Sequence, residues 1–374
     1  MKVLVICTAE TWGGLEQTAL RDALELNRKG IKTELLCFDK GVILDRAKDL
    51  GLSFHTIKNK NKYFNLEIFF KLRAIIKKEN FDVVHFHTFN TIMPALLALM
   101  GTNVFVAATR HIYVEHIKKD LLHRLLLRRL DILFAISDFA RANLLDTYPL
   151  PEDRVKTLYV GIDVKSFERS KEKKERFLLS HPSLRDASKI IGVVGRIDPM
   201  KGQLEFLEAA ESILKKEPGA MFLIVGAPTV ARDANYLTIL KEKINELGIS
   251  DRVVFTGFCK DVSEPLSVMD IFVMPSYFEA FGLAALQAMA NKVPVISTDK
   301  GSVKEIIPSY EYGTIIPPRD SLAIASSVLD LLSDKKMMED ISEKAYKRVL
   351  DVFDQRSYFD RLISVYKRST NVRK

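Results

Sequence analysis

The 374-residue chain has three cysteines, one tryptophan and no apolar run of the roughly 18 residues that a membrane-crossing helix requires. Cys7, Cys37 and Cys259 lie in apolar strand-like or turn segments without metal-ligand spacing, which excludes a disulfide framework and a cysteine metal site and fits the cytoplasm. The opening run Met1–Cys7 is too short for a secretory signal, has no small-residue cleavage site and is followed by Glu10 and Trp12, so it reads as a buried strand. A glycine fingerprint for dinucleotides is missing, which argues against nicotinamide chemistry. No Asp-x-Asp pair is present to place a divalent cation, so neither a metal nor a resident cofactor is expected. RNA-recognition, zinc-finger and helix-turn-helix patterns are absent too. The net charge of +8 is therefore assigned to nucleotide phosphates or an anionic membrane surface, not to nucleic acid.

What is present is a globular composition, 47% hydrophobic with 28% charged, in a chain long enough for two cores. Short apolar runs alternate with helical patterns: Val3–Cys7, a helix over about Leu15–Arg28, Thr33–Phe38, Asp82–His87, Val104–Thr109 and Ile132–Ser137. Between Asp163 and Lys189 the chain turns charged and irregular. The alternation then restarts with Ile190–Gly195, Met221–Gly226, Arg252–Gly257, Ile271–Pro275 and Pro294–Thr298. This pattern predicts α/β architecture with two tandem doubly wound parallel sheets facing a cleft. The expected division is 1–165, a linker at 166–188, 189–355, and a C-terminal helix in 356–374 that packs back toward the first domain.

Ligands of such sheets bind beyond the carboxyl ends of strands, and the chemistry-bearing residues fall there. In Pro275–Ala290, Glu279 stands just before Phe281-Gly282, where a helix opens. Free backbone N–H groups and the positive end of the helix dipole suit an anion, while the carboxylate suits hydroxyls; a sugar carried on a diphosphate needs both. Arg196 follows a strand and Lys201 opens a helix, a placement that favours diphosphate binding over solvated surface charges. Gly13-Gly14 makes a turn that allows close backbone approach, or simply a tight turn. His87 ends one strand and Arg110-His111 begins the loop after the next; His111 is the stronger candidate to donate a hydrogen bond to a sugar hydroxyl or a developing charge. His85 and His116 read as core histidines. Basic, aromatic-bearing stretches at 58–78 and 116–130 suit an anionic membrane; in the second, Leu122, Leu126 and Leu130 share one helical face and Arg124 and Arg128 another. Helices packed on a sheet give the same pattern.

Nearly the whole chain resembles the retaining glycosyltransferases of family 4, which have the two-Rossmann-domain GT-B fold. The resemblance rests on WGGLEQ at 12–17, DVVHFH at 82–87, AISDFAR at 135–141, YVGIDVKSF at 159–167, VGRIDPMKG at 194–202, MPSYFEAFGLAALQAMA at 274–290, and GSVKEII followed by YGTIIPPRD. It implies that the donor is a nucleotide diphosphate sugar, UDP-linked by weak preference. Gly13 and Gly14 would approach its diphosphate, and Arg196 and Lys201, beside Gly195, would neutralise it. Glu279 would bind hydroxyls of the transferred sugar, the amides of Phe281, Gly282 and Leu283 would meet the sugar or phosphate, and His111 would lie near the sugar ring. Gly257 and Phe258 would lie by the base. At 287 a glutamine stands where the family's second glutamate binds the ribose; it keeps hydrogen bonding but loses the charge-assisted bond. The implied reaction retains anomeric configuration by same-face attack, with a glycan or lipid-linked acceptor in cell-envelope polysaccharide or lipopolysaccharide synthesis, in the cytoplasm or at the inner membrane face. The rival readings are a sugar-nucleotide epimerase, a non-catalytic sugar-nucleotide-binding protein and, least favoured, an oxidoreductase.

Overall fold

Runs of aliphatic residues without polar alternation form strands buried on both faces, the signature of parallel sheets covered by helices. The computed structural model describes residues 1–10, 12–58, 66–228 and 231–372. One sheet comprises β1 (Lys2–Ile6), β2 (Lys32–Phe38), β3 (Phe54–Ile57), β4 (Val83–Phe86), β5 (Phe105–Arg110), β6 (Ile132–Ala135) and β7 (Val155–Thr157), ordered β3-β2-β1-β4-β5-β6-β7. A second comprises β8 (Lys189–Val194), β9 (Ala220–Val225), β10 (Val253–Gly257), β11 (Ile271–Met274), β12 (Val295–Thr298) and β13 (Thr314–Ile316), ordered β10-β9-β8-β11-β12-β13. Neighbouring strands run parallel throughout. The two doubly wound sheets expected from the sequence are both present. The short strands β3, β7 and β13 add to the list that apolar runs alone predict.

The chain forms two compact units, one of Met1–Val160 with Arg356–Lys374 and one of Gly161–Gln355. The charged stretch 166–188 is largely helical and belongs to the second unit. Ser170 caps the Lys171–Ser180 helix by accepting from the Lys173 amide at 3.1 Å, and Phe177 and Leu178 are buried beneath its charged face. The preceding Arg169 donates to the carbonyls of Ser267 at 2.9 Å and Met269 at 3.0 Å.

From Arg356 onward the Gln355–Val372 helix belongs to the first unit through Tyr358, Phe359, Leu362 and Tyr366, all buried in one core with Val3, Val5, Phe105 and Phe134. Positions 358, 362 and 366 recur every four residues and so form one stripe along the helix. Burial of side chains of this size stabilises by about 1.5–3 kcal/mol each.

Candidate functional site

In each sheet the strand order reverses at one point, and open α/β sheets bind ligands outside the carboxyl ends of the strands there. In the second unit that point lies between β8 and β11. The loop after β8 carries Gly195, Arg196, the short turn Pro199–Lys201 and Gly202; the loop after β11 carries Pro275 to Gly282. Backbone contacts stitch the two loops together. The Tyr277 amide donates to the Met200 carbonyl at 2.9 Å, and Gly202, with φ +69°, lies so close that a Cβ there would stand 2.1 Å from the Pro275 oxygen.

This arrangement joins two residues that are 78 positions apart. Lys201 Nζ donates to Glu279 Oε1 at 2.5 Å, and Ser276 Oγ donates to the same oxygen at 2.7 Å. Among the described residues Glu279 Oε2 has no protein partner, so it remains an acceptor for hydroxyls. Glu279 is itself fixed by its backbone: its carbonyl accepts from the Ser302 amide at 3.2 Å, and a Cβ on Gly301 would stand 1.9 Å from that carbonyl oxygen. The Leu283–Ala290 helix then opens from Gly282 at φ +93° with no side-chain cap, leaving first-turn N–H groups for a ligand. Phe281 is buried and packs on Phe353 at 6.0 Å between ring centroids.

The other expected residues are more loosely associated. Arg196 is half exposed and pairs with Asp198 at 3.1 Å, while its carbonyl accepts from Gln203 Nε2 at 2.6 Å. Gly195 donates its amide to the Val225 carbonyl at 2.9 Å. Gly257 and the exposed Phe258 lie at the end of β10, two strands from β8. Gln287 sits half-buried within the Leu283–Ala290 helix, its side-chain carboxamide without a protein hydrogen bond among the described residues. Gly13 N-caps the Gly14–Arg28 helix, and its amide donates to Glu16 Oε2 at 2.8 Å.

In the first unit the reversal lies between β1 and β4, and there a cavity of about 680 Å³ opens. Its lining includes Thr8, Asn90, Thr91, Arg110 and His111. Thr8 Oγ1 lies within 2.9 Å of the Thr88 hydroxyl and 2.8 Å of Asn90 Oδ1 and the Thr91 hydroxyl, a floor of uncharged polar groups that the sequence reading missed. Burial pulls the His85 and His111 pKa values down to about 3 and that of His87 well below normal, so all three are neutral. His85 is a core residue, within 2.5 Å of the Tyr366 hydroxyl and 2.8 Å of that of Thr109. His87 is the neighbour of His111, with 3.0 Å between Nδ1 and Nε2. His116, expected in the core, is exposed: it precedes the Leu121–Leu127 helix in a segment whose polar side chains face solvent.

Among the described residues one cluster has metal-ligand spacing, Glu34, His55 and Glu79. It lies toward the amino ends of the first sheet's strands, away from the cavity, and Lys2 Nζ already bridges its carboxylates at 2.9 and 2.5 Å.

The 116–130 stretch also departs from its expected face. Leu126 and Leu130 are buried, but Leu122 is exposed with Leu121, Leu125 and Ile117, beside Lys119, Arg124 and Arg128. Within 58–78, residues 59–65 lie outside the described residues; Leu66 and Phe70 are exposed on the Leu66–Glu79 helix. No described helix is long and apolar enough to cross a membrane.

Two family models match the chain, "Glycosyltransferase Family 4" over residues 12–166 and "Glycosyl transferases group 1" over 175–348. The chain belongs to this glycosyltransferase family and has its GT-B fold. It is 30% identical over 228 residues to the lipopolysaccharide core biosynthesis mannosyltransferase LpsB of Rhizobium meliloti (strain 1021), a match covering 60% of this chain and 62% of that protein. It is 24% identical to the UDP-Gal:alpha-D-GlcNAc-diphosphoundecaprenol alpha-1,3-galactosyltransferase of Escherichia coli, over 94% of this chain and 93% of the other. A crystal structure of a glycosyltransferase from Rickettsia africae ESF-5 superposes with a TM-score of 0.88 at 23% identity, covering 98% of both chains.

Proposed function

We propose that this chain transfers a hexose-like sugar, with retention of anomeric configuration, from a nucleotide diphosphate sugar to a glycan or lipid-linked acceptor of the cell envelope. The observation that carries the reading is the Lys201–Glu279 pair beside an uncapped helix start at the second sheet's reversal point. Lys201 and Arg196 stabilise the negative charge that gathers on the leaving diphosphate, with help from the backbone N–H groups of Gly282 and Leu283. Glu279 Oε2 accepts from the sugar's hydroxyls, while Oε1 holds Lys201 in position. The departing oxygen then takes the acceptor's proton, so no protein nucleophile and no metal ion is invoked. Gln287, with Gly257 and Phe258, meets the nucleoside. UDP is favoured as the nucleotide because the E. coli relative's name specifies UDP-Gal.

The test is transfer from a panel of UDP, GDP and ADP sugars, first ranked by thermal shift, with the anomer identified by NMR. Glu279→Gln should bind the nucleotide diphosphate and fail in transfer. Unchanged transfer by Glu279→Gln, or an isomerised sugar nucleotide without any acceptor, would refute the reading.

The lipid-linked acceptor is supported by exposed Ile117, Leu121, Leu122 and Leu125 among basic residues, as a surface that rests on anionic lipid would present. Sedimentation with anionic but not neutral vesicles, weakened by salt, is expected. Leu121→Ser with Leu125→Ser should abolish it without loss of fold.

A further inference from the structure

We infer that Asp22 sets the proton positions of the His87–His111 pair, so that His111 meets a bound substrate as a hydrogen-bond acceptor through Nδ1. Only the last clause rests on the glycosyltransferase reading; the proton positions do not.

Asp22 lies on the Gly14–Arg28 helix and is fully buried. Its Oδ1 accepts from Arg21, at 2.9 Å from Nη2 and 3.3 Å from Nε, and its Oδ2 accepts from the Tyr358 hydroxyl at 2.5 Å. His87 Nε2 stands 3.6 Å from Oδ2, buried and with no hydrogen-bond partner. On its other side His87 Nδ1 faces His111 Nε2 at 3.0 Å, a distance at which the two nitrogens share one hydrogen.

Each ring is neutral and carries one N–H. If that of His87 were on Nδ1, the bare Nε2 lone pair would point at a buried carboxylate. Placing it on Nε2 directs an N–H dipole toward the same carboxylate, the favourable arrangement where little water screens it. Nδ1 of His87 is then the acceptor, and His111 must donate from Nε2. This uses the single proton of His111 and leaves Nδ1 bare. The ring therefore accepts from a substrate hydroxyl and does not donate to it, which reverses the role expected from sequence. Asp22 and Tyr358 are positioning residues in this scheme, and Tyr358 comes from the helix that returns to the first unit after the second.

The same chemistry predicts selectivity. A substrate hydroxyl at this point can be replaced by an amine, which also donates, but not by fluorine, which only accepts. Replacement by fluorine should cost roughly tenfold in kcat/KM, the scale of one hydrogen bond.

The decisive experiment is long-range proton–nitrogen NMR on histidine-labelled wild-type protein without substrate, with signals assigned by loss in His111→Gln and His87→Gln. Protonated Nε2 and bare Nδ1 are expected on both rings. In Asp22→Asn the carboxamide can donate to His87 Nε2, so both tautomers should reverse and kcat should fall about tenfold with donor KM little changed. Tyr358→Phe retains the carboxylate and should retain both tautomers. A proton on His111 Nδ1 in the wild type would overturn the inference even if Asp22→Asn does not fold, as would unreversed tautomers in a folded Asp22→Asn. Correct tautomers in a protein that transfers no sugar would sink the proposed function and leave the proton positions standing.

Discussion

The two units solve the same topological problem with different chemistry. Both place functional groups at the carboxyl ends of strands where the sheet order reverses, but in the second unit charged side chains pair across the loops, whereas in the first hydroxyls, an amide and neutral imidazoles pair with one another and the charges of Glu16, Arg110 and buried Asp22 stand around them. Around β8 and β11 stand Arg196, Asp198, Lys201 and Glu279, held by loops in which a glycine Cβ would collide with backbone. Around β1 and β4 the paired groups are threonine hydroxyls, an asparagine and neutral histidines, with Glu16, Arg110 and the buried Asp22 at their edge. Six of the seven histidines lie in the first unit. A charged site suits phosphates, and a hydroxyl and imidazole site suits sugars; the contrast supports a division of labour between the two halves.

That contrast can be broken most forcefully with acid. His85, His87 and His111 have folded pKa values far below the ordinary 6.5, so between pH 6.5 and about 3 the unfolded chain binds protons that the folded chain refuses. Stability is fully present above pH 6.5 and falls with pH at about 4 kcal/mol per unit for three such groups. Asp22, whose pKa burial raises, works in the opposite direction, since the folded chain takes up its proton before the unfolded chain does as pH falls. The chain's one tryptophan, Trp12, packs on the first unit's core, so its fluorescence reports that unit alone. Its transition should precede the loss of second-unit structure seen by circular dichroism. Simultaneous transitions would contradict the expectation.

A cavity tests the same asymmetry by another route. Phe359→Ala should destabilise by about 3–5 kcal/mol, visible as a shift in the Trp12 transition, while UDP binding by the second unit survives in native conditions. Next in size, Lys201→Ala should lower kcat/KM for transfer by about 10²–10³-fold, and that effect should shrink as salt rises. Thr8→Val, in the hydroxyl cluster of the first unit, removes no charge and should cost no more than about tenfold, with no such dependence on salt. Equal salt dependence for both variants would erase the distinction.

The sheets were legible because their strands are unbroken apolar runs, and the placement of Lys201 and Glu279 because each stands between such a run and a helical pattern. What surrounds them was not. Asp22 sits among the helical residues of 14–28, where a carboxylate ordinarily reads as surface, and its partner Tyr358 is 336 positions away. The helix at 171–180 was hidden by charge density, since two buried residues, Phe177 and Leu178, hold it down. Leu122 shows the limit of helical periodicity, which groups residues by face but does not say which face the sheet covers.

The return of the Gln355–Val372 helix to the first sheet also orders events during synthesis. Phe359, Leu362 and Tyr366 belong to the first unit's core yet are translated after all of the second unit. Domains usually mature from the amino end as the chain emerges. Here the unit that starts first must finish last: its nascent sheet waits, with the surface these side chains will cover still open, until the ribosome has delivered the whole of its neighbour. A chaperone that shields aliphatic surface should therefore be held by nascent chains longest on the first unit, and ribosome profiling of chaperone-bound chains should show it still bound when translation reaches residue 372.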